Sequence, residues 1–429
     1  MTTAEGIRLR RGAFAALTSR GYRIYLAGQS LANIGTWMQS IAQDWLVLDL
    51  THSATAVGVT MALQFLPMLV FGAQTGVVAD RLSRRRILLT TQTLNAAATS
   101  ALAVITISGA VRPAAVYAFA CVSGLIFAFD GPARQAFATE VAPRGQLRAA
   151  IALNAAVFQS TRLIGPAIAS LLIASAGTGW VFAVNAACYV GPTIGLLRLR
   201  PSDLTQAPAA ATEPGALREA VRYLRGRPEI LWTIFLIGMV GTFGLNFPIV
   251  LTAMAKFTFH GGASTYGLFN IVLAVGSAAG ALLAGAAARP KRRVLVLAAA
   301  GFGLAQAAAA VAPGMAVFLA LLVAVGFLNL AFQSMANAAV QLAVEPELRG
   351  RVMGLYMLAF IGGTPIGAPI IGALTNHLGA RTGMAICGVV PALAAVLVVA
   401  ATTRRRGAQP TTGHAAETVR ASCRPVSEP

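Results

Sequence analysis

The sequence predicts an all-α membrane protein with twelve transmembrane helices arranged as two six-helix bundles. Three observations carry this reading. Of its 429 residues, 57% are hydrophobic and only 11% charged. Soluble domains run at roughly 45–50% and about 25%, so this chain has too few charges to solvate a surface of its size. Second, long apolar stretches recur, each near the 20 or so residues that a bilayer crossing needs. Third, the two halves of the chain repeat one set of landmarks. The composition excludes a cytosolic enzyme, a disordered chain and a disulfide-stapled secreted domain.

The spans fall approximately at 23–48, 54–79, 86–108, 114–138, 147–175 and 179–197, then at 230–256, 264–288, 294–312, 315–342, 350–375 and 381–402. The first follows a set of arginines, as a signal peptide would, but it is too long and has no small-residue cleavage site. It therefore counts as a true span. The chain divides into an N-terminal arm (1–22), a first bundle (23–197), a linker (198–229), a second bundle (230–402) and a tail (403–429). Span 5 opens with Leu147-Arg148 and ends at Gly177, and span 11 opens with Leu348-Arg349 and ends at Gly379. Each follows an acid and a proline, Glu140 with Pro143 and Glu345 with Pro346. Such internal repetition belongs to duplicated transporter folds.

A net charge of +19 would suggest nucleic-acid binding in a soluble protein. Its distribution says otherwise. Of the 33 Lys and Arg residues, 29 lie in the arm, the tail and the loops on their side, whereas the alternate loops hold only Arg112, Lys256 and Arg381. Under the positive-inside rule, both termini and the linker are cytoplasmic in a multi-pass cell-membrane protein, with no nucleic-acid partner. Within the linker, Leu217, Val221 and Leu224 share a helical face beside Arg218, Arg222 and Arg225. That pattern suits either a basic helix on anionic lipid or a solvated helix.

The four cysteines form no disulfide, zinc or CxxC pattern, and four scattered histidines offer little to a metal. No G-x-x-x-x-G-K-[ST] string occurs, so ATP drive is excluded, and no hydrolase, redox or transferase constellation is present. Neither a catalytic residue nor a cofactor is expected.

Between spans 2 and 3 runs Gly76-Val-Val-Ala-Asp80-Arg81-Leu-Ser-Arg84-Arg85-Arg86. Gly76 allows close helix approach, Asp80 suits the positive end of a neighbouring helix, and the arginines hold one membrane side by charge. The string resembles the loop signature of the major facilitator superfamily, G-x-x-x-D-R-x-G-R-R-x, with Ser83 in place of a glycine. GQ-x-x-x-x-x-GTWMQ (Gly28 to Gln39), FDGPARQAF (Phe129 to Phe137), AxxLN (Ala150 to Asn154) and RLIGP (Arg162 to Pro166) resemble the exporter branch that includes the enterobactin exporter. The resemblance spans roughly residues 14–400. It implies the major facilitator fold and proton-driven efflux of small amphipathic compounds of the drug or siderophore class, by alternating access. An importer of a small solute, or a non-transporting sensor or assembly protein on the same scaffold, is the alternative.

Within that picture Asp130 is expected to meet Arg81 or Arg84 in a conformational latch, or else to pair locally with Arg134. Arg162 stands about 15 residues, some 22 Å, into span 5, too deep to snorkel. It lines a wet cavity or makes a structural ion pair. Asp44 is either the proton-carrying carboxylate or an interfacial acid beside Trp45; an acid shielded from water favours its neutral form, as a carrier requires. Gln29, Asn33, Thr36, Ser40 and Gln43 form a polar stripe on span 1, and Asn329, Gln333, Asn337 and Gln341 form another on span 10. Lipid cannot satisfy such groups, so they face helices or a water-filled cavity. The expected partners are thus membrane lipid, a small-molecule substrate and protons.

Overall fold

The structure is a computed structural model. It describes residues 15–143, 145–199, 216–285 and 292–407, with the backbone alone at 73–74, 76–81, 148, 216–218, 285, 346–347 and 403–407. The described residues form helices and their connections, without strands. Helix α1 (Arg20–Thr51) starts where the Ser19 hydroxyl accepts the Tyr22 N–H, and it stops at His52, whose left-handed backbone returns its N–H to Leu48. Then follow α2 (Ala54–Arg81), α3 (Arg84–Ile107), α4 (Pro113–Val141) and α5 (Leu147–Ala176), and the sixth span is two pieces, α6 (Thr178–Cys188) and α7 (Val190–Arg198). The linker helix α8 (Ala216–Arg225) leads to α9 (Pro228–Met239) and α10 (Phe247–Ala253), joined and extended by π-helical turns. Helices α11 (Ala263–Gly285), α12 (Arg292–Ala310) and α13 (Met315–Ala343) precede α14 (Pro346–Ile361) and α15 (Thr364–Leu378), which are one span broken at Gly362-Gly363, and then α16 (Ala380–Gly407).

Among the described residues, eleven segments are long and apolar enough to cross a membrane. The first helix is absent from that set, because its 32 residues carry the polar stripe. With it, the count agrees with the expected twelve. The fold is the all-α major facilitator arrangement.

Inside each half, helices meet along small residues. A Cβ at Gly124 of α4 would strike the Gln64 carbonyl of α2. In the second half, Gly276 and Gly280 of α11 lie against the carbonyls of Val323 and Phe327 of α13, and Gly326 answers against Leu273. Gly303 of α12 and Gly388 of α16 face each other in the same way. Between the halves, α2 packs on α15 and α5 on α11.

The linker helix, for which the sequence left open a place on lipid or in solvent, packs on protein. Ala220 and Leu224 are buried, and the helix packs on α14 and α9. Glu219 pairs with Arg351, and Arg227 binds Glu345 at 2.7 Å while lying over the Tyr223 ring. Two apolar positions four apart make a stripe just wide enough for one protein groove, and the flanking charges find partners there. Leu217 and Arg218 carry no described side chains.

Candidate functional site

The polar stripe of α1 bonds within its own helix and to α2, and Gln39 beside it reaches α3 and α6. Gln29, buried, donates to Asn33 Oδ1 at 3.0 Å, and Gln43 donates to Gln64 Oε1 of α2 at 3.3 Å. Gln39 accepts from Thr99 of α3 at 3.3 Å and from Asn185 of α6 at 2.5 Å. Thr36 is exposed and returns its hydroxyl to the Ala32 carbonyl. In this conformation Gln29, Asn33 and Gln43 are buried inside the protein, and Thr36 is the exposed member of the expected cavity lining. The stripe of α13 forms two rungs, Gln333 to Asn329 and Gln341 to Asn337, both 2.7 Å. Asn329 is buried, Gln333 and Asn337 are half-buried and Gln341 is exposed, so the ladder emerges toward the end that carries the termini.

Two ion pairs at the termini end stay inside the first half. Asp130, buried, accepts the Thr91 hydroxyl at 2.7 Å and pairs with Arg134 one turn on. Pro132 removes one backbone donor but leaves α4 continuous, so residues 130 and 134 keep one face. Arg84 pairs with Glu140, and Arg85 donates to the Leu197 carbonyl at 3.1 Å. Of the two expected arrangements of Asp130, this conformation shows the local pair with Arg134, while Arg84 is engaged by Glu140. Glu140, read from sequence as part of a connection, instead lies on α4. The side chains of Asp80 and Arg81 are not described, and Gly76 is placed only by its backbone on α2.

At the opposite end the two halves are bonded together. The Tyr266 hydroxyl of α11 donates to Asp44 Oδ2 of α1 at 2.9 Å, both residues being buried. Lys256 binds Asp49 at 2.8 Å and lies 5.7 Å from the centre of the Trp45 ring. The Ala54 N–H, an open donor at the start of α2, reaches Asn376 Oδ1 of α15 at 3.3 Å. Backbone contacts reinforce these bonds: Gly58 meets the Ala368 carbonyl, and Gly267 meets Pro166 and Ser170. Among the described residues, every hydrogen bond and ion pair between the two bundles lies at this far end. The halves are thus joined at the far end, while on the termini side neither α4 of the first half nor α13 and α14 of the second packs substantially across the divide, which leaves a cleft between them there.

This cleft and its paired six-helix walls match a known family. The model of the transmembrane secretion effectors, a branch of the major facilitator superfamily, aligns with residues 11–419. The chain belongs to this family. It is a membrane transporter, not an enzyme. The multidrug efflux pump Tap of Mycolicibacterium fortuitum is 29% identical over 381 residues, 84% of this chain and 91% of the pump. Macrolide efflux protein A of Streptococcus pyogenes is 24% identical over 374 residues, covering 84% and 91%. A bacterial homologue of the human lysosomal transporter Spinster superposes with a TM-score of 0.67 at 15% identity, covering 89% of this chain and 96% of that one.

In this secretion effector the mid-membrane charge is Arg162. Its guanidinium lies 5.4 Å from the centre of the Trp37 ring, which stacks edge-on with Phe158 at 5.8 Å. The structure does not bring Arg162 to Asp44, because Trp37 holds it seven residues, about 10 Å, along α1 from that acid. Sequence reasoning missed Tyr266, which stands near Phe269 in an apolar span with nothing to mark it. Lys256 did leave a signal, as one of the three basic residues on the sparsely charged side.

Proposed function

We propose that this transporter exports small amphipathic compounds of the drug or siderophore class by alternating access, with protons as the coupling ion. In this reading both termini and the linker are cytoplasmic, so the cleft faces the cytoplasm and takes substrate from it or from the adjoining lipid. The efflux activities of the Tap and macrolide relatives support the direction. The observation that carries the reading is the Asp44–Tyr266 bond, a buried carboxylate that bridges the two bundles at the closed end.

Opening that end separates the acid from its donor and wets it, so it can take a proton from outside. Reclosure then buries the acid in its neutral form, which costs less than burying an unpaired anion, and the proton leaves to the cytoplasm by way of the cleft before the next cycle. Asp44 is thus the carrier, and the other polar groups on α1 and α13 (Gln29, Asn33, Thr36, Gln43, Asn329, Gln333 and Asn337) line or brace the route. Gly76, Asp80, Arg81, Arg84 and Arg85 act with Asp130 and Arg134 as the network that is exchanged when the cytoplasmic end closes.

A growth-inhibition panel of toxic compounds and siderophores, with the gene deleted and restored, tests the export reading. Restoration should raise tolerance to, or release of, at least one compound, and greater cellular accumulation on restoration would instead mark an importer. Orientation is tested on a cysteine-free background. A cysteine at Ser108 should react with impermeant thiol reagents on intact cells, whereas one at Arg225 should not.

A further inference from the structure

Arg162 is the unexplained charge of the transport path. It stands at the middle of the 30-residue helix α5, at the depth where an ionised side chain needs a partner. Among the described residues no carboxylate reaches it, and its guanidinium donates no hydrogen bond to protein; the Trp37 ring is its one partner. The other charges near the path are engaged, Asp130 with Arg134, Asp49 with Lys256, and Asp44 with the Tyr266 hydroxyl.

Its position on the helix says what it faces. Residues 155, 159, 162, 166 and 170 recur at steps of three and four and so share one side of α5. At the outer end of that side, Pro166 and Ser170 press on Gly267 of the other bundle. At its inner end Ala155 is exposed and Gln159 half-buried. Arg162 is one turn inward of the closed contact, at the roof of the open cleft. Beside it, Phe158 is 43% exposed and stacks on Trp37, so the charge adjoins an accessible aromatic surface.

We infer that Arg162, with Trp37 and Phe158, forms an anion-recognising subsite at the apex of the cleft, and that preferred substrates are organic acids whose carboxylate adjoins an aromatic or apolar body. A guanidinium presents two parallel N–H donors that fit a carboxylate. Its weak partner, the Trp37 ring, leaves those donors available, and the two rings take the apolar part. The inference rests on the transport reading for its biological meaning, but binding alone can test it.

The probes are dansyl-leucine and its methyl ester, which share an apolar aromatic body and differ by one carboxylate. Binding is read by dansyl fluorescence on the full-length protein in nanodiscs at neutral pH. The wild type should hold the acid about tenfold more tightly than the ester, about 1.4 kcal/mol. Arg162→Gln should bring the two within twofold while leaving ester affinity near wild type, and Arg162→Lys should keep part of the preference. Equal affinities in the wild type, no saturable binding of the acid, or a preference that survives in Arg162→Gln would overturn the subsite. If Arg162→Gln cannot be recovered folded, the wild-type ratio and the lysine variant decide. Export is scored separately in proteoliposomes. A preference without any movement of the acid counts against export alone, and movement without a preference counts against the subsite alone.

Discussion

Contacts inside a bundle and contacts between bundles are made of the same small residues, yet they serve opposite ends. Within the second half, Gly276, Gly280 and Gly326 knit α11 to α13 along three successive turns, and no charge takes part. Between the halves, Gly58 and Gly267 make similar approaches, but each adjoins a polar bond that water can replace: Ala54 to Asn376, and Tyr266 to Asp44. Dispersion contacts on a backbone seam are lost all at once when helices part. A hydrogen bond to a carboxylate can be exchanged for water or a proton. Permanent seams are therefore apolar, and the seam built to open carries titratable and hydrogen-bonding groups.

Filling the two kinds of seam gives the largest contrast. Gly280→Leu places a side chain on the Phe327 carbonyl and should destabilise the second bundle by about 3 kcal/mol or more. Membrane abundance and thermal unfolding of the purified protein check this. Gly58→Leu meets the Ala368 carbonyl across the bundles, where the halves can separate instead of straining. It should keep near-normal abundance, lower transport more than tenfold, and raise thiol labelling of a cysteine placed at Ser53. Equal losses of stability in the two variants would erase the distinction.

Next in size is coupling. Asp44→Asn keeps a group that can accept from Tyr266 but removes the ionisable proton site. It should abolish uphill transport driven by a pH gradient while downhill exchange persists. Accumulation against a gradient by this variant would move proton coupling elsewhere. Tyr266→Phe strips the donor and leaves the acid, so it should weaken the far-end closure and retain gradient-driven transport at a reduced rate.

The fold was legible because bilayer insertion writes itself in composition and length. The twelve spans, the central linker and the loop motif all follow from runs of apolar residues punctuated by arginines. The breaks at Tyr189 and Gly362 were less visible, since a span tolerates interruption where neighbouring helices satisfy its backbone. The site was legible residue by residue and not pair by pair. Asp44, Arg134 and Arg162 stood out as charges in apolar sequence, but their partners lie on other helices or across a proline. The Asp130–Arg134 pair forms across Pro132 because a proline deletes one hydrogen bond without moving residues four apart to different faces. The sequence left the Leu224 face between lipid and solvent, because amphipathicity cannot say whether an apolar stripe meets lipid, solvent or protein.

The smallest expected effect concerns the peripheral ion pair beside the closed end. Lys256 is largely covered, but Asp49 is 62% exposed, so salt and water screen their attraction and the pair contributes about 1 kcal/mol at most. Its removal should shift the balance between the two cleft conformations by less than about fivefold, since tenfold requires about 1.4 kcal/mol. Asp49→Asn should therefore leave export within severalfold of wild type, and raising the ionic strength should reduce the wild-type rate toward that of the variant. Transport in matched proteoliposomes across a salt series reads both effects. A loss as complete as that of Asp44→Asn would mean that the exposed pair, and not the buried Asp44–Tyr266 bond, holds the halves together at this end.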